Sequence, residues 1–283
     1  MKSFKNRVAA ITGAGSGIGR CLALALADKG CNLALSDVNE AGLEHTARAA
    51  LNRGVKVHQT VVNVTDQTAV HAWAEAVMSE FGKVNMIFNN AGVAHAGTVE
   101  GSEYSEFEWI MKINVWGVLY GTKAFLPHLK KTGDGHIINV SSTAALIATP
   151  GMSAYNLTKS AVHGFTQALR QELDMEDCGV SASCVLPGGI HTNIAQAARM
   201  NDSVGDVSGT KPDAVRKSFE SQVMRTSAEK AAEIILNGVL KDKRRILVGG
   251  DAYVMDIVHR LFPAFYQRIL VSMMKKQRAA EAL

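Results

Sequence analysis

Seven short apolar runs alternate along the chain with longer stretches in which apolar residues recur at helical spacing. The runs are nearly continuous in apolar residues, which is typical of strands covered on both faces. They lie at residues 8–11, 32–36, 55–64, 84–88, 136–140, 180–186 and 245–248. The helical stretches lie at residues 17–29, 39–53, 66–81, 104–131, 153–177 and 227–240. This alternation predicts an α/β fold, a doubly wound parallel sheet of about seven strands with helices on both faces.

Two segments fall outside this alternation. Residues 192–225 are long and polar, and they lie between the last two strands, where a lid over a site is expected. Residues 252–283 follow the last strand as an amphipathic helical extension that is interrupted at Pro263. Because the chain has no internal repeat and no linker rich in proline or serine, residues 1–251 are predicted to form a single domain.

Composition and charge exclude several classes of protein. The 283 residues are 47% apolar and 20% charged, which excludes a disordered chain. The net charge of +4 is too small for a typical nucleic-acid-binding protein, and the basic excess lies after residue 240. The 4 cysteines form no Cys-x-x-Cys pair, so no metal site is expected. With no secretory signal and no apolar span of membrane length, the chain is predicted to be cytoplasmic.

A glycine-rich loop follows the first predicted strand and opens the first predicted helix. Its sequence, from Thr12 to Gly19, is TGAGSGIG. A phosphate approaches backbone amides closely only where side chains are missing, and a helix N-terminus adds free N–H groups and a positive dipole. The loop therefore predicts a dinucleotide site that uses Gly13, Ser16, Gly17, Ile18 and Gly19. The alternative is a glycine-rich turn that binds no ligand.

Asp37 ends the second predicted strand, close to 20 residues beyond the glycine loop. An acidic group at this place accepts hydrogen bonds from the ribose hydroxyls of a dinucleotide and repels a 2′-phosphate. Val38 and Asn39 follow, so no arginine is at hand to hold that phosphate. Asp37 therefore predicts NAD as the cofactor. The alternative is that Asp37 caps the helix that starts near Glu40.

Tyr155 and Lys159 are four residues apart on one predicted helix, so their side chains share a face. Ser142 follows the fifth predicted strand, at the end where α/β sheets bind ligands. An ammonium group near a tyrosine is expected to lower its pKa, and the phenol then serves as an acid or a base on a hydroxyl or carbonyl. Ser142 is predicted to hold the substrate oxygen. The alternative is a core tyrosine beside a solvated lysine.

These features together resemble the short-chain dehydrogenase/reductase family, in its compact single-domain branch with a Rossmann-like sheet. The resemblance covers roughly residues 5–250 and rests on motifs that occur in the family's order. They are the glycine loop, the run from Asn89 to Gly92, Asn114, Ser142, Tyr155 with Lys159, and Pro187-Gly188 followed by Ile190 and Thr192. The family usually has an acid at the end of the third strand, where this chain has Asn63 before Val64.

The resemblance implies further roles. Asn114 is expected to hold a water that links Lys159 to solvent, and Lys159 is expected to bind the nicotinamide ribose as well as to lower the pKa of Tyr155. Ile190 and Thr192 are expected to contact the nicotinamide carboxamide. The remaining expected cofactor contacts are Asn63, Val64, Asn90, Ala91, Gly92, Pro187 and Gly188. The family is usually dimeric or tetrameric, through the helices that begin near Tyr104 and Ser153.

Histidines and methionines add little to this picture. His95 and His191 stand near the expected pocket, and each is interpreted as a polar loop residue without a chemical role. The methionines of the second half of the chain either line apolar surfaces or fill the core. They are Met200, Met224, Met255, Met273 and Met274.

The leading functional hypothesis is an NAD-dependent oxidoreductase that interconverts a secondary alcohol and a ketone by hydride transfer, on an apolar substrate. The alternatives are an NADP-dependent 3-oxoacyl-thioester reductase, a non-catalytic dinucleotide sensor and a sugar epimerase. A small-molecule substrate and a homo-oligomer are expected, and no nucleic acid. The apolar stripe of residues 252–283 is expected to be covered by the chain itself or by a neighbouring subunit in preference to a membrane surface.

Overall fold

A parallel sheet lies at the centre of the protein, in a computed structural model that describes residues 2–218 and 225–281. Its seven strands in the described residues have the spatial order β3-β2-β1-β4-β5-β6-β7, and every neighbouring pair is parallel. The strands are β1 (Val8–Thr12), β2 (Asn32–Asp37), β3 (Val57–Val61), β4 (Met86–Asn89), β5 (Gly135–Val140), β6 (Val180–Pro187) and β7 (Arg245–Val248). The doubly wound sheet predicted from the apolar runs is confirmed.

Helices connect successive strands and cover both faces of the sheet. Those inside the predicted alternation are α1 (Gly17–Ala27), α2 (Glu40–Leu51), α3 (Gln67–Phe81), α4 (Tyr104–Met111), α5 (Gly117–Thr132), α6 (Ser153–Glu176) and α9 (Ala228–Leu240). The lid segment contributes α7 (Val204–Ser208) and α8 (Pro212–Ser218), and residues 219–224 of that segment lie outside the described residues. The extension after β7 forms α10 (Gly250–Leu261) and α11 (Phe265–Glu281).

Two apolar clusters hold the helices against opposite faces of the sheet. On one face, Leu22 of α1 and Ile235 of α9 pack with Ile11 of β1. On the other face, Trp73 of α3 meets Phe125 of α5 edge to face, with the ring centroids 5.0 Å apart. Because strand side chains alternate between faces, a continuous apolar run places apolar groups in both clusters.

The long helix predicted at residues 104–131 is interrupted in the structure. A π-helical turn, Lys112–Trp116, separates α4 from α5. Such single turns insert an extra residue into a helix and occur frequently at functional sites. Helical periodicity does not show one inserted residue, so the sequence predicted an unbroken helix.

Helices α10 and α11 are seated on the body of the protein by their inner faces. Met255 and Val258 of α10 and Tyr266 and Leu270 of α11 pack against a small cluster that includes Leu186 of β6. The Tyr266 hydroxyl accepts a hydrogen bond of 3.3 Å from the backbone N–H of Ala148.

An ion pair adds to this attachment and joins the sheet to α10. Arg245 of β7 pairs with the buried Asp256 at 2.5 Å. The extension is thus packed on the body rather than detached from it. Within the described residues, no helix is both long and apolar enough to cross a membrane.

Candidate active site

A cavity of about 1120 Å³ opens at the carboxyl ends of the central strands. Seventeen of the nineteen residues predicted to form the site line it: Gly13, Ser16, Gly17, Ile18, Asp37, Asn63, Val64, Asn90, Ala91, Gly92, Ser142, Tyr155, Lys159, Pro187, Gly188, Ile190 and Thr192. The other two, Gly19 and Asn114, are buried and lie behind the wall of the cavity. The carboxyl end of the sheet thus brings together residues that are up to 179 positions apart in the sequence.

The glycine loop is packed so closely that side chains are excluded from it. Gly13 has a φ of +66°, a conformation that L side chains rarely adopt. A Cβ on Gly19 would lie 2.1 Å from the carbonyl oxygen of Gly13, a separation that no real contact shows. The loop can therefore approach a ligand with its backbone.

The first turn of α1 has no side-chain cap. Helices α2, α3 and α9 each have a side chain that caps the first turn, from Asn39, Asp66 and Ser227 respectively. Ser16 occupies the same position in α1 and makes no such bond. The N–H groups and the positive dipole of α1 remain available for an anion in the cavity, which fits a dinucleotide pyrophosphate.

Asp37 stands at the end of β2 and lines the cavity. Its Oδ2 accepts a hydrogen bond of 2.8 Å from the N–H of Gly15, and its Oδ1 accepts one of 2.9 Å from the N–H of Asn39. The cap of α2 is Asn39, whose Oδ1 accepts from the N–H of Gly42. The alternative in which Asp37 caps that helix is therefore wrong.

Arg20 is the guanidinium nearest in sequence to the glycine loop, and its Nε and Nη2 already donate hydrogen bonds. Its Nη2 donates to the carbonyl oxygen of Gly15 at 2.8 Å, and its Nε donates to the hydroxyl of Thr46 at 3.1 Å. Arg20 therefore braces the glycine loop against α2 instead of pointing a free guanidinium into the cavity.

Thr12 fastens the glycine loop to the loop after β4, a role the sequence analysis did not assign. Its hydroxyl accepts hydrogen bonds of 3.0 Å from the N–H groups of Asn90 and Ala91. The Asn90 amide donates in return to the carbonyl oxygens of Thr12 and Gly13, at 3.0 and 3.2 Å. The signal was present, since Thr12 opens the glycine motif.

Tyr155, Lys159 and Ser142 meet at the middle of the cavity. The Lys159 Nζ lies 5.6 Å from the centroid of the Tyr155 ring and donates to the carbonyl oxygen of Val140 at 3.1 Å. Burial lowers the pKa of Lys159 to about 8. Ser142 precedes a short 3₁₀ turn, and its Oγ accepts a hydrogen bond of 3.1 Å from the N–H of Ala144.

The pKa of Tyr155 moves opposite to the sequence prediction. Burial raises it, and a hydrogen bond with Ser142 offsets only part of that rise. In the protein without its ligands the net shift is upward because desolvation of the phenolate dominates, and the lowering contributed by the Lys159 ammonium stays a prediction. The phenol of Tyr155 is therefore protonated and uncharged at neutral pH.

Asn114 lies at the centre of the π-helical turn and is fully buried. Its amide donates to the carbonyl oxygen of Val93 at 2.9 Å and to the hydroxyl of Thr158 at 3.1 Å, and its Oδ1 accepts from the N–H of Val93. The Asn114 Oδ1 and the Lys159 Nζ lie 3.2 and 3.4 Å from the point where a Cβ on Gly92 would stand. Gly92 thus leaves open the space between these two groups.

The segments that follow β3 and β6 complete the polar half of the cavity. Asn63 is exposed at the rim, where its Oδ1 accepts hydrogen bonds from the N–H and hydroxyl of Thr65. Thr192 lies over the glycine loop, with its Cγ2 3.1 Å from where a Cβ on Gly17 would stand. Asp251, which the sequence analysis passed over, accepts a hydrogen bond of 2.7 Å from the N–H of Gly189 and fixes the turn after β6.

His95 is fully buried, stands in a two-residue strand (His95–Ala96) rather than in a loop, and lines the cavity. Its Nε2 lies 2.9 Å from Glu106 Oε1, and the other carboxylate oxygen of Glu106 accepts from Asn201. Hydrogen bonds from these partners hold the pKa of Glu106 below its usual range, although burial opposes them. The contact spans two elements 11 residues apart, which periodicity does not reveal. His191 is exposed, as its interpretation requires.

The other half of the cavity is apolar. Its wall comes from the lid segment, from the two helices of the extension and from the loop after the 3₁₀ turn that follows β5. The apolar residues there include Ile147, Ile194, Met200, Val204, Val207, Val215, Met255 and Met274. Met273 is exposed instead, and Met224 lies outside the described residues. No group of three or more histidine, cysteine or acidic side chains suited to a metal ion occurs in residues 2–218 and 225–281.

This chain is similar to known proteins in sequence and in structure. A family model described as short chain dehydrogenase matches residues 7–203. A protein of Mycobacterium tuberculosis (strain ATCC 25618 / H37Rv) named "Putative oxidoreductase SadH" is 46% identical over 272 residues, which are 96% of each chain. "Estradiol 17-beta-dehydrogenase 11" of Rattus norvegicus is 31% identical over 95% of this chain and 84% of its own length.

A solved structure has the same fold over nearly the whole chain. It is a short chain dehydrogenase/reductase from Burkholderia phymatum in complex with NAD, and it is 29% identical to this chain. The match has a TM-score of 0.84 and covers 92% of this chain and 95% of the other.

Proposed function

The chain belongs to the short-chain dehydrogenase family, and from this premise we propose that it is an NAD-dependent oxidoreductase that interconverts a secondary alcohol and a ketone on an apolar substrate. The observation that carries the proposal is the order of groups along one cavity. The glycine loop and Asp37 stand at one end, Tyr155 and Ser142 in the middle, and an apolar wall at the other end.

The polar end of the cavity fits a nicotinamide dinucleotide. The uncapped amides of α1 would hold the pyrophosphate, and Asp37 would accept hydrogen bonds from the adenosine ribose. Asn63, Val64 and residues 90–92 would flank the adenosine half. Lys159 would bind the other ribose, with Pro187, Gly188, Ile190 and Thr192 beside the nicotinamide.

NAD is favoured over NADP by charge. The Asp37 carboxylate stands where a 2′-phosphate would be placed, and Arg20 is already bonded to Gly15 and Thr46. When bound, the nicotinamide supplies or accepts the hydride, which is chemistry that no amino-acid side chain provides.

The proton is the part of the reaction that this chain's own residues move. Ser142 would orient the substrate oxygen, and Tyr155, whose pKa is raised by burial, would donate its proton to that oxygen when a ketone is reduced. The phenolate then recovers a proton through Lys159 and the open space at Gly92, beside Asn114. In the oxidative direction the same groups remove the proton.

The apolar half of the cavity supports a large apolar substrate. Most of its lining is aliphatic, beside polar lid residues such as Asn193, Ser208 and Thr210, and it contains methionines on the lid and on both helices of the extension, which adapt to irregular shapes. The rat relative is named for estradiol, a steroid whose 17β-hydroxyl is a secondary alcohol.

A homo-dimer or homo-tetramer in the cytoplasm completes the proposal. Large apolar side chains are exposed on α4, on α6 and on the π-helical turn between α4 and α5, including Tyr104, Trp116 and Leu157. A neighbouring subunit would cover them, through the helices that the family resemblance implies.

A screen of secondary alcohols and ketones of increasing apolar size, with NAD(H) and NADP(H) in parallel, tests the proposal. We expect turnover with NAD, rising with apolar size, and its loss in Tyr155→Phe by about a hundredfold or more. The Tyr155→Phe protein should still bind NADH, because only the hydroxyl is removed. NADH binding without turnover of any compound by the unaltered protein would support a dinucleotide sensor instead.

A further inference from the structure

The outer faces of α10 and α11 form one exposed apolar surface. It consists of Tyr253, Val254, Ile257, Leu261, Phe262, Phe265, Ile269 and Met273, which we call the tail patch. Their exposure runs from 46% for Ile269 to 66% for Leu261. The rings of Phe262 and Phe265 lie at the turn between the helices, with centroids 6.4 Å apart. Water-exposed apolar groups collected on one face are a recurring mark of an interaction surface.

The inner faces of the same helices fix the direction in which the tail patch points. Val258 and Leu270 belong to the same apolar stripe and pack against the body of the protein, beside Met255 and Tyr266. Asp256 pairs with Arg245 on the inner side as well. The chain itself therefore covers the inner residues of the apolar stripe of residues 252–283, as expected. The tail patch is not covered by any other part of the described residues.

Cations accompany the tail patch. Arg268, Lys275 and Lys276 are exposed on α11, and within residues 2–218 and 225–281 none of them has an acidic partner. Arg260 is exposed on α10, next in sequence to Leu261 of the patch, and it pairs with Asp256 at 3.0 Å. Both acids of α10 face inward, Asp256 to Arg245 and Asp251 to the N–H of Gly189. The described surface of this extension is therefore apolar and positive.

We propose that the tail patch docks on the surface of an anionic lipid bilayer. Apolar helix faces that carry lysine and arginine lie in the interface of such membranes, where the aliphatic and aromatic groups enter the acyl boundary and the cations meet the headgroups. A second copy of this chain fits the patch less well. A twofold interface would bury the patch against the same patch of a second copy and so gather the positive charges of both copies in one interface, with no acid of the described patch to pair them.

Docking in this way brings a membrane close to the apolar end of the cavity. Met255 and Met274 line that end from the inner faces of α10 and α11, and the tail patch lies on their outer faces. The apolar end of the cavity and the tail patch are therefore separated by about one helix diameter, some 10 Å. The docking proposal itself does not depend on the activity proposed above.

Flotation of the full-length protein with vesicles tests this proposal. One set of vesicles is phosphatidylcholine alone, and the other is an equimolar mixture of phosphatidylcholine and phosphatidylglycerol. We expect binding to the mixed vesicles and weakening of that binding by salt.

Two double variants of the tail patch, each with a matched control, test whether the patch is the part of the protein that binds. Lys275→Glu with Lys276→Glu should lower the partition coefficient by about thirtyfold or more, since each cation near an anionic surface contributes about a factor of five. Ile257→Ser with Leu261→Ser should lower it by about tenfold or more through lost apolar burial. The charge control is Lys83→Glu with Lys241→Glu, and the apolar control is Leu51→Ser with Val61→Ser. These are exposed residues elsewhere, and both controls should bind like the unaltered protein.

Three results would overturn the proposal. The first is no binding to the mixed vesicles. The second is equal binding by the patch variants and their controls, which would place the contact elsewhere. The third is a smaller assembly of the Ile257→Ser, Leu261→Ser protein in lipid-free buffer, by light scattering, because this would assign the patch to a second copy of the chain.

Discussion

The Asp37 carboxylate is shared between two backbone amides, those of Gly15 and Asn39. This arrangement fixes the negative charge at the rim of the glycine loop, where the adenosine ribose of a dinucleotide would lie. The sequence suggested this residue, and the structure adds that its position does not depend on capping α2.

Replacement of Asp37 should change the choice of cofactor. We expect the unaltered protein to favour NAD over NADP by at least about tenfold in kcat/KM, which corresponds to about 1.4 kcal/mol. Asp37→Ala with Val38→Arg should narrow or reverse this preference, because an arginine pairs with a phosphate through two hydrogen bonds. Steady-state kinetics with both cofactors measures it, and equal use of both by the unaltered protein would contradict the role given to Asp37.

Lys159 should control the pH at which the alcohol is oxidised. The charged lysine beside the phenolate favours deprotonation of Tyr155, so its loss in Lys159→Ala should move the rise of the oxidation rate to higher pH by about one to three units. Lys159→Arg keeps the positive charge and should move the profile less. A profile of kcat against pH tests this, and an unchanged profile in Lys159→Ala would limit the lysine to holding the ribose.

At the scale of elements, the close packing of β1, the glycine loop and α1 leaves no room for a side chain. The Gly19 Cα faces the carbonyl oxygen of Gly13, and the amide of Asn90 lies beside both. In the proposed function, the contact between α1 and the glycine loop would therefore form the binding site for the pyrophosphate.

Gly19→Ala should separate α1 from the glycine loop and weaken NADH binding by about tenfold or more, since a Cβ would lie 2.1 Å from a backbone oxygen. Gly82→Ala is the matched control. Gly82 has a φ of +68° with nothing near its Cβ position, so it should lose about 1 kcal/mol of stability and keep its affinity. Titration of NADH fluorescence measures both, and equal affinities would refute the close-packing argument.

His136 makes strand β5 sensitive to acid. It is buried, and its Nε2 lies 2.7 Å from the hydroxyl of Ser183, which itself donates to the carbonyl oxygen of Lys243. Burial lowers the pKa of His136 from 6.5 to about 4. Between these two pH values His136 is protonated in the unfolded chain but not in the folded protein. The free energy of unfolding is therefore highest above pH 6.5 and falls as the pH drops towards 4.

Unfolding by urea at pH 7.5 and pH 5.0 measures this loss. We expect this histidine to remove about 2 kcal/mol of the free energy of unfolding between the two pH values. His136→Gln keeps an N–H donor and does not titrate, so its stability should fall by about 2 kcal/mol less over the same interval. An identical fall in both proteins would show that other groups carry the acid sensitivity.

At the scale of the whole molecule, local patterns were sufficient for the sheet and for the first members of the site. Each strand is an apolar run, and residues that follow parallel strands meet at the carboxyl end of the sheet, so Asp37 and Ser142 could be brought together from the sequence, while Asn90 and Gly188 came from the family resemblance. The family resemblance supplied roles for residues such as Asn114, whose chemistry is not evident from spacing.

Contacts between elements were beyond such reasoning. The pairing of His95 with Glu106 and of Asp251 with the N–H of Gly189 depends on how loops and helices approach each other in space. The sign of the pKa shift of Tyr155 depends on burial, which the spacing to Lys159 does not report. The outward direction of the tail patch depends on which half of an apolar stripe finds a cluster to pack against.

Transfer of deuterium from NADH labelled at C4 of the nicotinamide tests the central claim most directly. The unaltered protein is incubated with the labelled cofactor and the best ketone from the screen, and the alcohol is examined by mass spectrometry and NMR. With the label on the face from which this protein draws the hydride, established by testing both C4 epimers, we predict one deuterium at the carbinol carbon for each NADH oxidised, and no product from Tyr155→Phe on the same timescale. An alcohol without the label from either epimer, or NADH oxidation without alcohol, would contradict the account.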